Sequence, residues 1–157
     1  MKFTIAPQRQ SVAPSVFAVF GLEEVPHSFD VDWKRRILRC RIYGRVTDQD
    51  LKASYIGAYQ HAFHLQSRAG VVDSSGITAF EVSAKVIREL ATSAPALPGL
   101  NLYLITIAPS PKIYRMARMY EKWGKATRPN FHVVRTEQEA WAILAIENPQ
   151  FQSLEPE

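Results

Sequence analysis

The sequence predicts an α/β domain built on a mixed, mostly parallel sheet that opens with an antiparallel hairpin. Three observations carry this expectation. From Phe29 onward, strand-like apolar runs alternate with stripes of helical period. Most helical stretches are introduced by a hydroxyl N-cap signal. The first two strand patterns are joined by Lys34-Arg35-Arg36, a polar turn too short for a parallel crossover. The expected order is β-β-α-β-α-β-α-β-α within one domain over residues 29–148, preceded by an arm, 1–28, and followed by a tail, 149–157.

In the arm, the apolar run 15–20 lies between Pro7, Pro14 and Pro26 and reads as a short docked strand or extended segment. In the hairpin, Leu38, Cys40 and Ile42 alternate with Arg39, Arg41 and Tyr43, the pattern of a strand with one wet face or of a sheet edge. Thr47 with Asp50 three residues on predicts the start of the first helix, whose apolar stripe is Leu51, Tyr55, Ala58, Tyr59 and Ala62. A short strand over 69–73 should end in the turn Ser74-Ser75-Gly76. Thr78 and Glu81 have capping-box spacing, which places the second helix over Val82, Val86, Ile87, Leu90 and Ala91 until Pro95 and Pro98 stop it. The nearly continuous apolar run 101–109 reads as a strand covered on both faces. Ser110-Pro111 opens the third helix and Gly124 stands where a left-handed cap belongs. Residues 131–134 form the last expected strand, and the Thr136–Glu139 capping box begins a final helix that ends near Asn148-Pro149.

Composition narrows the function classes. With 46% hydrophobic residues, 22% charged, 7 glycines and 10 prolines, the chain fits neither disordered nor collagenous classes. The single cysteine, Cys40, excludes an internal disulfide framework and points to the reducing cytosol. No apolar window approaches a membrane-spanning length, and no signal-peptide pattern is present, so a cytoplasmic location is expected. Without a glycine-rich phosphate loop, no nucleotide cofactor is expected. The pair His61 and His64 lacks a neighbouring third ligand, and His27 and His132 stand alone, so no metal site is expected. No glycine stands two residues before Ser75, so the nucleophile-elbow pattern is missing. Asp73 and Glu81 are the remaining acid/base candidates, and each has a structural reading as turn or cap.

The third helix carries most of the charge asymmetry. Ile113, Met116, Ala117, Tyr120 and Trp123 form one stripe and Arg115, Arg118 and Lys122 another, with Lys125 just beyond. Residues 111–128 carry +5 while the whole chain carries +4, so the basicity is one local patch. Such a face suits an acidic protein or an anionic ligand; no aromatic RNA-binding motif accompanies it, and nucleic acid is not expected.

Residues 71–87, V-V-D-S-S-G-I-T-A-F-E-V-S-A-K-V-I, resemble the central segment of the STAS family, the SpoIIAA-type anti-sigma-factor antagonists. The segments 44–51, 115–121 and 133–140 are similar to uncharacterised SpoIIAA-like proteins, a branch grouped with STAS and CRAL-TRIO domains. The resemblance covers about 29–147 and implies a single-domain STAS fold and a protein partner, with a homo-oligomer also compatible. In the antagonists a serine at the start of the helix after this strand is phosphorylated. Aligning Asp73, Ser75-Gly76 and Thr78 puts Glu81, Val82 and Ser83 at that motif, with Val82 in the acceptor position, so the phosphoacceptor is absent and Ser83 is the neighbouring hydroxyl.

Three functions follow as expectations. The first is a non-catalytic regulatory module that binds a protein partner. The second is a carrier or sensor of a small apolar or anionic lipid-like ligand. The third is a small enzyme using Asp73, Glu81 or the histidines. A large apolar cavity beneath the third helix would favour the carrier, and a filled core the partner-binding module.

Overall fold

The computed structural model describes residues 26–97 and 102–154, so most of the arm, including the run 15–20, lies outside the described residues. The elements are β1 (His27–Asp32), β2 (Ile37–Thr47), α1 (Asp48–Leu65), β3 (Ala69–Glu81), α2 (Ala84–Thr92), β4 (Tyr103–Ile107), α3 (Pro111–Trp123), β5 (Phe131–Val134), α4 (Glu137–Leu144) and β6 (Gln152–Ser153). They form one six-stranded sheet in the order β5-β4-β3-β2-β1-β6. β2, β3, β4 and β5 run parallel to one another, whereas β1 is antiparallel to both β2 and β6. The α/β class, the mixed sheet and the order of elements through the fourth helix match the expectation.

Successive right-handed crossovers that step in one direction place their helices on one face. Accordingly, residues of α1, α2 and α3 pack with Phe29, Leu38, Cys40, Ile42 and Val46. α4 packs on the opposite face against Ile37, Ala69, Val71, Ile105 and Ile107. Both expected N-cap boxes at Thr47–Asp50 and Thr136–Glu139 are formed, each hydroxyl accepting from the N3 backbone N–H. Gly44 has a positive φ of 73°, a left-handed conformation that costs glycine little.

Several local expectations are corrected. β3 does not end at Asp73 but continues to Glu81, in parallel register with β2 up to Thr47, with irregularities between Arg41 and Tyr43 and again between Gly44 and Arg45. Thr78–Glu81 is therefore strand and caps nothing; α2 begins after Ser83, whose hydroxyl accepts from Val86 N–H. The long ladder offered by β2 outweighs a local signal worth about 1 kcal/mol. Gly124 is not left-handed (φ −98°). Its missing side chain matters for another reason, since a Cβ there would lie 3.1 Å from the Ala91 carbonyl, where α2 and α3 converge. Tyr59, expected in the buried stripe of α1, is 49% exposed beside Ile56 and Phe63. α4 stops at Leu144 with Ala145 left-handed, short of Asn148-Pro149. The hairpin is not the edge of the sheet, because β6 pairs with β1 and Leu154 N–H donates to the Phe29 carbonyl.

The β1/β2 ladder also holds a buried charge pair. Asp30, 4% exposed, faces Arg39 in register and accepts from its Nε and Nη2 at 2.9 and 2.7 Å, with Arg41 at 3.2 Å. The Arg39 guanidinium lies 4.0 Å over the Phe151 ring, which shields the pair from water. Asp32 ties the hairpin turn to the C-terminal segment, accepting from Arg35 N–H, Arg35 Nη1 and Gln150 N–H at 2.8–3.1 Å. Burial pushes its carboxyl up, yet the backbone and Arg35 hydrogen bonds prevail and hold it below the ordinary 3.8.

A carboxyl whose folded pKa is depressed stabilises the fold above its unfolded pKa and loses that contribution as pH falls through the folded value. Acid unfolding should therefore steepen below about pH 4. Asp32→Asn should lower stability near neutrality by about 1–2 kcal/mol and flatten that acid limb. Denaturant titrations across pH check it; parallel pH profiles for the two proteins would show that Asp32 contributes no such linkage.

Candidate functional site

Between the sheet and the three helices of its first face lies a cavity of about 170 Å³. Its floor comes from alternate residues of the central strands, among them Leu38, Cys40, Ile42, Val72 and Leu104; its roof includes Leu51, Ala58, Ile87, Leu90, Ile113, Met116 and Ala117. The small residues Ala58, Gly70, Ala96 and Ala117 line it, so the packed elements leave space where larger side chains would close it. Its lining is almost wholly apolar. An apolar cavity of similar size, about 150 Å³, stays dry and accepts a benzene ring in other proteins. Residues of the third helix line this cavity, and others of the same helix pack against the core beside it. Cys40 lines it as a neutral thiol, because burial, with Asp30 nearby, pushes its pKa up to about 12.

The charged residue of the lining is Arg128, which is 3% exposed. Its Nε–H donates to Tyr120 Oη at 2.8 Å, and Nη1 donates to the Ala91 carbonyl and Thr127 Oγ1 at 2.7 and 2.8 Å. Nη2 donates to Tyr55 Oη at 2.8 Å and the Leu90 carbonyl at 2.9 Å. Leu90 and Ala91 belong to the last turn of α2, where carbonyls lack intrahelical partners and the helix dipole favours a cation. One guanidinium therefore joins α1 through Tyr55, α2 through its C-terminal carbonyls and α3 through Tyr120. All its hydrogen-bond acceptors are neutral, and no carboxylate of the described residues pairs with it. Burial pushes the Tyr55 phenol up and that of Tyr120 up to about 12, while the nearby arginine works in the opposite direction.

Sequence reasoning counted Arg128 within the basic stretch and missed its burial. The remaining basic residues of that patch, Arg115, Arg118, Lys122 and Lys125, are exposed. Arg118 pairs with Glu121 at 2.8 Å and lies over the Tyr114 ring, which also receives Arg135 at 4.0 Å. These cations face outward and do not line the cavity.

The residues aligned with the family motif fall elsewhere. Asp73 is buried and accepts from the backbone N–H and hydroxyl of Ser75 at 3.0 and 2.6 Å, while Ser74 donates to the Ile107 carbonyl. Gly76 sits in the irregular β2/β3 pairing, where a Cβ would meet Tyr43 Cβ at 3.0 Å. Glu81 is exposed and bound to Arg45 at 2.8–3.0 Å, which holds its carboxyl below the usual range. Val82 is buried in the core, and Ser83 is exposed at the N-cap of α2, its N–H and hydroxyl donating to the Asp48 carboxylate at 2.7 and 3.0 Å. Neither Asp73 nor Glu81 lines the cavity, and the two are not brought together. His61 packs on Phe29 and His132 stacks on Tyr103. Among the described residues, no three metal-ligating side chains converge and no helix is long and apolar enough to cross a membrane.

Removing Arg128 leaves two helix-terminal carbonyls and two phenols short of a donor. Arg128→Met should cost about 3 kcal/mol of unfolding free energy. Arg128→Lys should recover less than half of that, since an ammonium offers three donors to five acceptors. Chemical denaturation decides it, and stability unchanged in Arg128→Met would mean that the guanidinium does not tie the helices together.

No family model matches the chain, and no curated protein matches it significantly. Among solved structures, it is similar to the anti-sigma factor antagonist SpoIIAA in its unphosphorylated form, with a TM-score of 0.49 and 13% sequence identity; the match covers 73% of this chain and 93% of that one.

Proposed function

We propose that the protein is a non-catalytic binding module that carries or senses a small apolar or amphipathic ligand in the cavity beneath α3. The observation that carries this reading is the cavity itself. Interiors pack to crystal-like density, and an apolar space of about 170 Å³ leaves part of its lining without packed neighbours. A ligand of matching size restores those contacts and stabilises the protein by mass action. The carboxylates that an enzyme reading would use, Asp73 and Glu81, are engaged by Ser75 and Arg45 and stand outside the cavity.

Benzene titrated into the isotopically labelled protein should shift the methyl resonances of Leu38, Met116 and Ile113 while leaving surface methyls in place. Ala117→Leu, which extends a side chain into the same space, should remove most of that response. Uniform or absent shifts in the folded wild-type protein would defeat the reading.

A second reading is favoured by a separate observation, the outward cationic face of Arg115, Arg118, Lys122 and Lys125. It is the regulatory protein-binding module implied by the STAS resemblance of residues 71–87, without a phosphoacceptor at Val82 and with an acidic partner surface met by α3. In a comparison of host proteins retained by the wild type and by an Arg115→Glu/Lys122→Glu variant, a specific acidic partner should be lost from the variant. Identical retained sets count against this reading.

A further inference from the structure

The polar end of the cavity holds an unused donor beside an uncompensated cation. Tyr55 and Tyr120 both line the cavity, and both phenol oxygens accept from Arg128. Tyr55 passes its own proton to the Ala94 carbonyl. Tyr120 has no acceptor for its proton among the described residues. Beside that hydroxyl, 2.8 Å away, stands a guanidinium whose five donors all end on neutral oxygens, so among the described residues its charge is solvated by dipoles and met by no carboxylate. A buried cation in a medium of low dielectric attracts an anion more strongly than it would in water. A hydroxyl already accepting from a guanidinium is polarised towards donation. Burial keeps this phenol protonated, with its pKa raised to about 12.

We infer that the occupant of the cavity is an amphiphile whose anionic head is a carboxylate, accepting the Tyr120 proton beside Arg128, with a short hydrocarbon part lying against Ile87, Leu104 and Met116. This rests on the reading of the cavity as a ligand site and adds the class and orientation of the ligand. The surface cations Arg115, Arg118 and Lys122 play no part in it. At about 170 Å³ the space suits a chain of roughly six carbons or one aromatic ring, not a long acyl tail.

The test compares hexanoate with 1-hexanol, two probes of similar size and different head, titrated into the full chain at pH 7 and followed by methyl and tyrosine-ring resonances. Hexanoate should bind about tenfold more tightly than hexanol, the worth of one charge-assisted hydrogen bond. Tyr120→Phe should abolish most of the preference for hexanoate over hexanol. Should that variant not fold, the same preference read in the wild type at falling pH must disappear as the probe protonates near about pH 4–5. Hexanol bound in the cavity as tightly as hexanoate overturns the inference and leaves the cavity reading intact. Neither probe moving the cavity methyls overturns both.

Discussion

One guanidinium organises the helical layer. Arg128 is reached by the chain only after α3 is complete, yet it bonds to α1, to the end of α2 and to α3 at once. Of the two carbonyls it reaches at the end of α2, that of Leu90 also accepts from Ser93 N–H, whereas that of Ala91 depends on Arg128, and a buried unpaired carbonyl costs about 1–3 kcal/mol. The same residue thus links the three helices beside the cavity that it helps to line. Gly124 belongs to the same device, because its bare Cα lets α3 end against the Ala91 carbonyl.

The sheet is asymmetric for a reason that follows from its topology. Three consecutive parallel crossovers load α1, α2 and α3 onto one face, and α4, the last helix, is left to cover the other. That helix reaches the β3–β5 side, so the β1/β2 side of the second face is covered by the C-terminal segment. Phe151 and Trp141 pack together there, and Phe151 lies against Arg39 while Arg39 neutralises Asp30. Charge on this face is paired in register and supports the strands. On the helical face, the buried charge among the described residues is the Arg128 cation at the edge of an apolar space.

Much of the site was legible in part. The stripe Ile113, Met116, Ala117, Tyr120 and Trp123 is written in the period of α3, and all of it but Trp123 lines the cavity. Arg128 was legible only as one of several basic residues in a row, since its neighbours in sequence, Thr127 and Pro129, give no sign of burial. Its acceptors come from residues 55, 90, 91, 120 and 127, and no local window contains the first three together with it. Thr78–Glu81 shows the opposite failure. Its capping-box spacing is genuine as a local pattern, but residues 69–81 gain a parallel ladder against β2 that only the folded sheet supplies, so the strand runs on and Ser83 takes the cap.

The sequence by itself determined the α/β class, the order of the elements through the fourth helix, the caps at Thr47 and Thr136, and the outward basic face of α3. Each of these follows from interactions between residues a few positions apart, for which spacing is sufficient information. The tertiary structure alone decided that β6 would pair with the hairpin, that β3 would extend past Asp73, that Arg128 would be buried with no counter-ion among the described residues, and that small side chains from separate elements would leave a common space. A cavity is a property of how well distant surfaces fit, and its polar end depends on which donors remain unspent after folding; neither is encoded in any single stretch of chain.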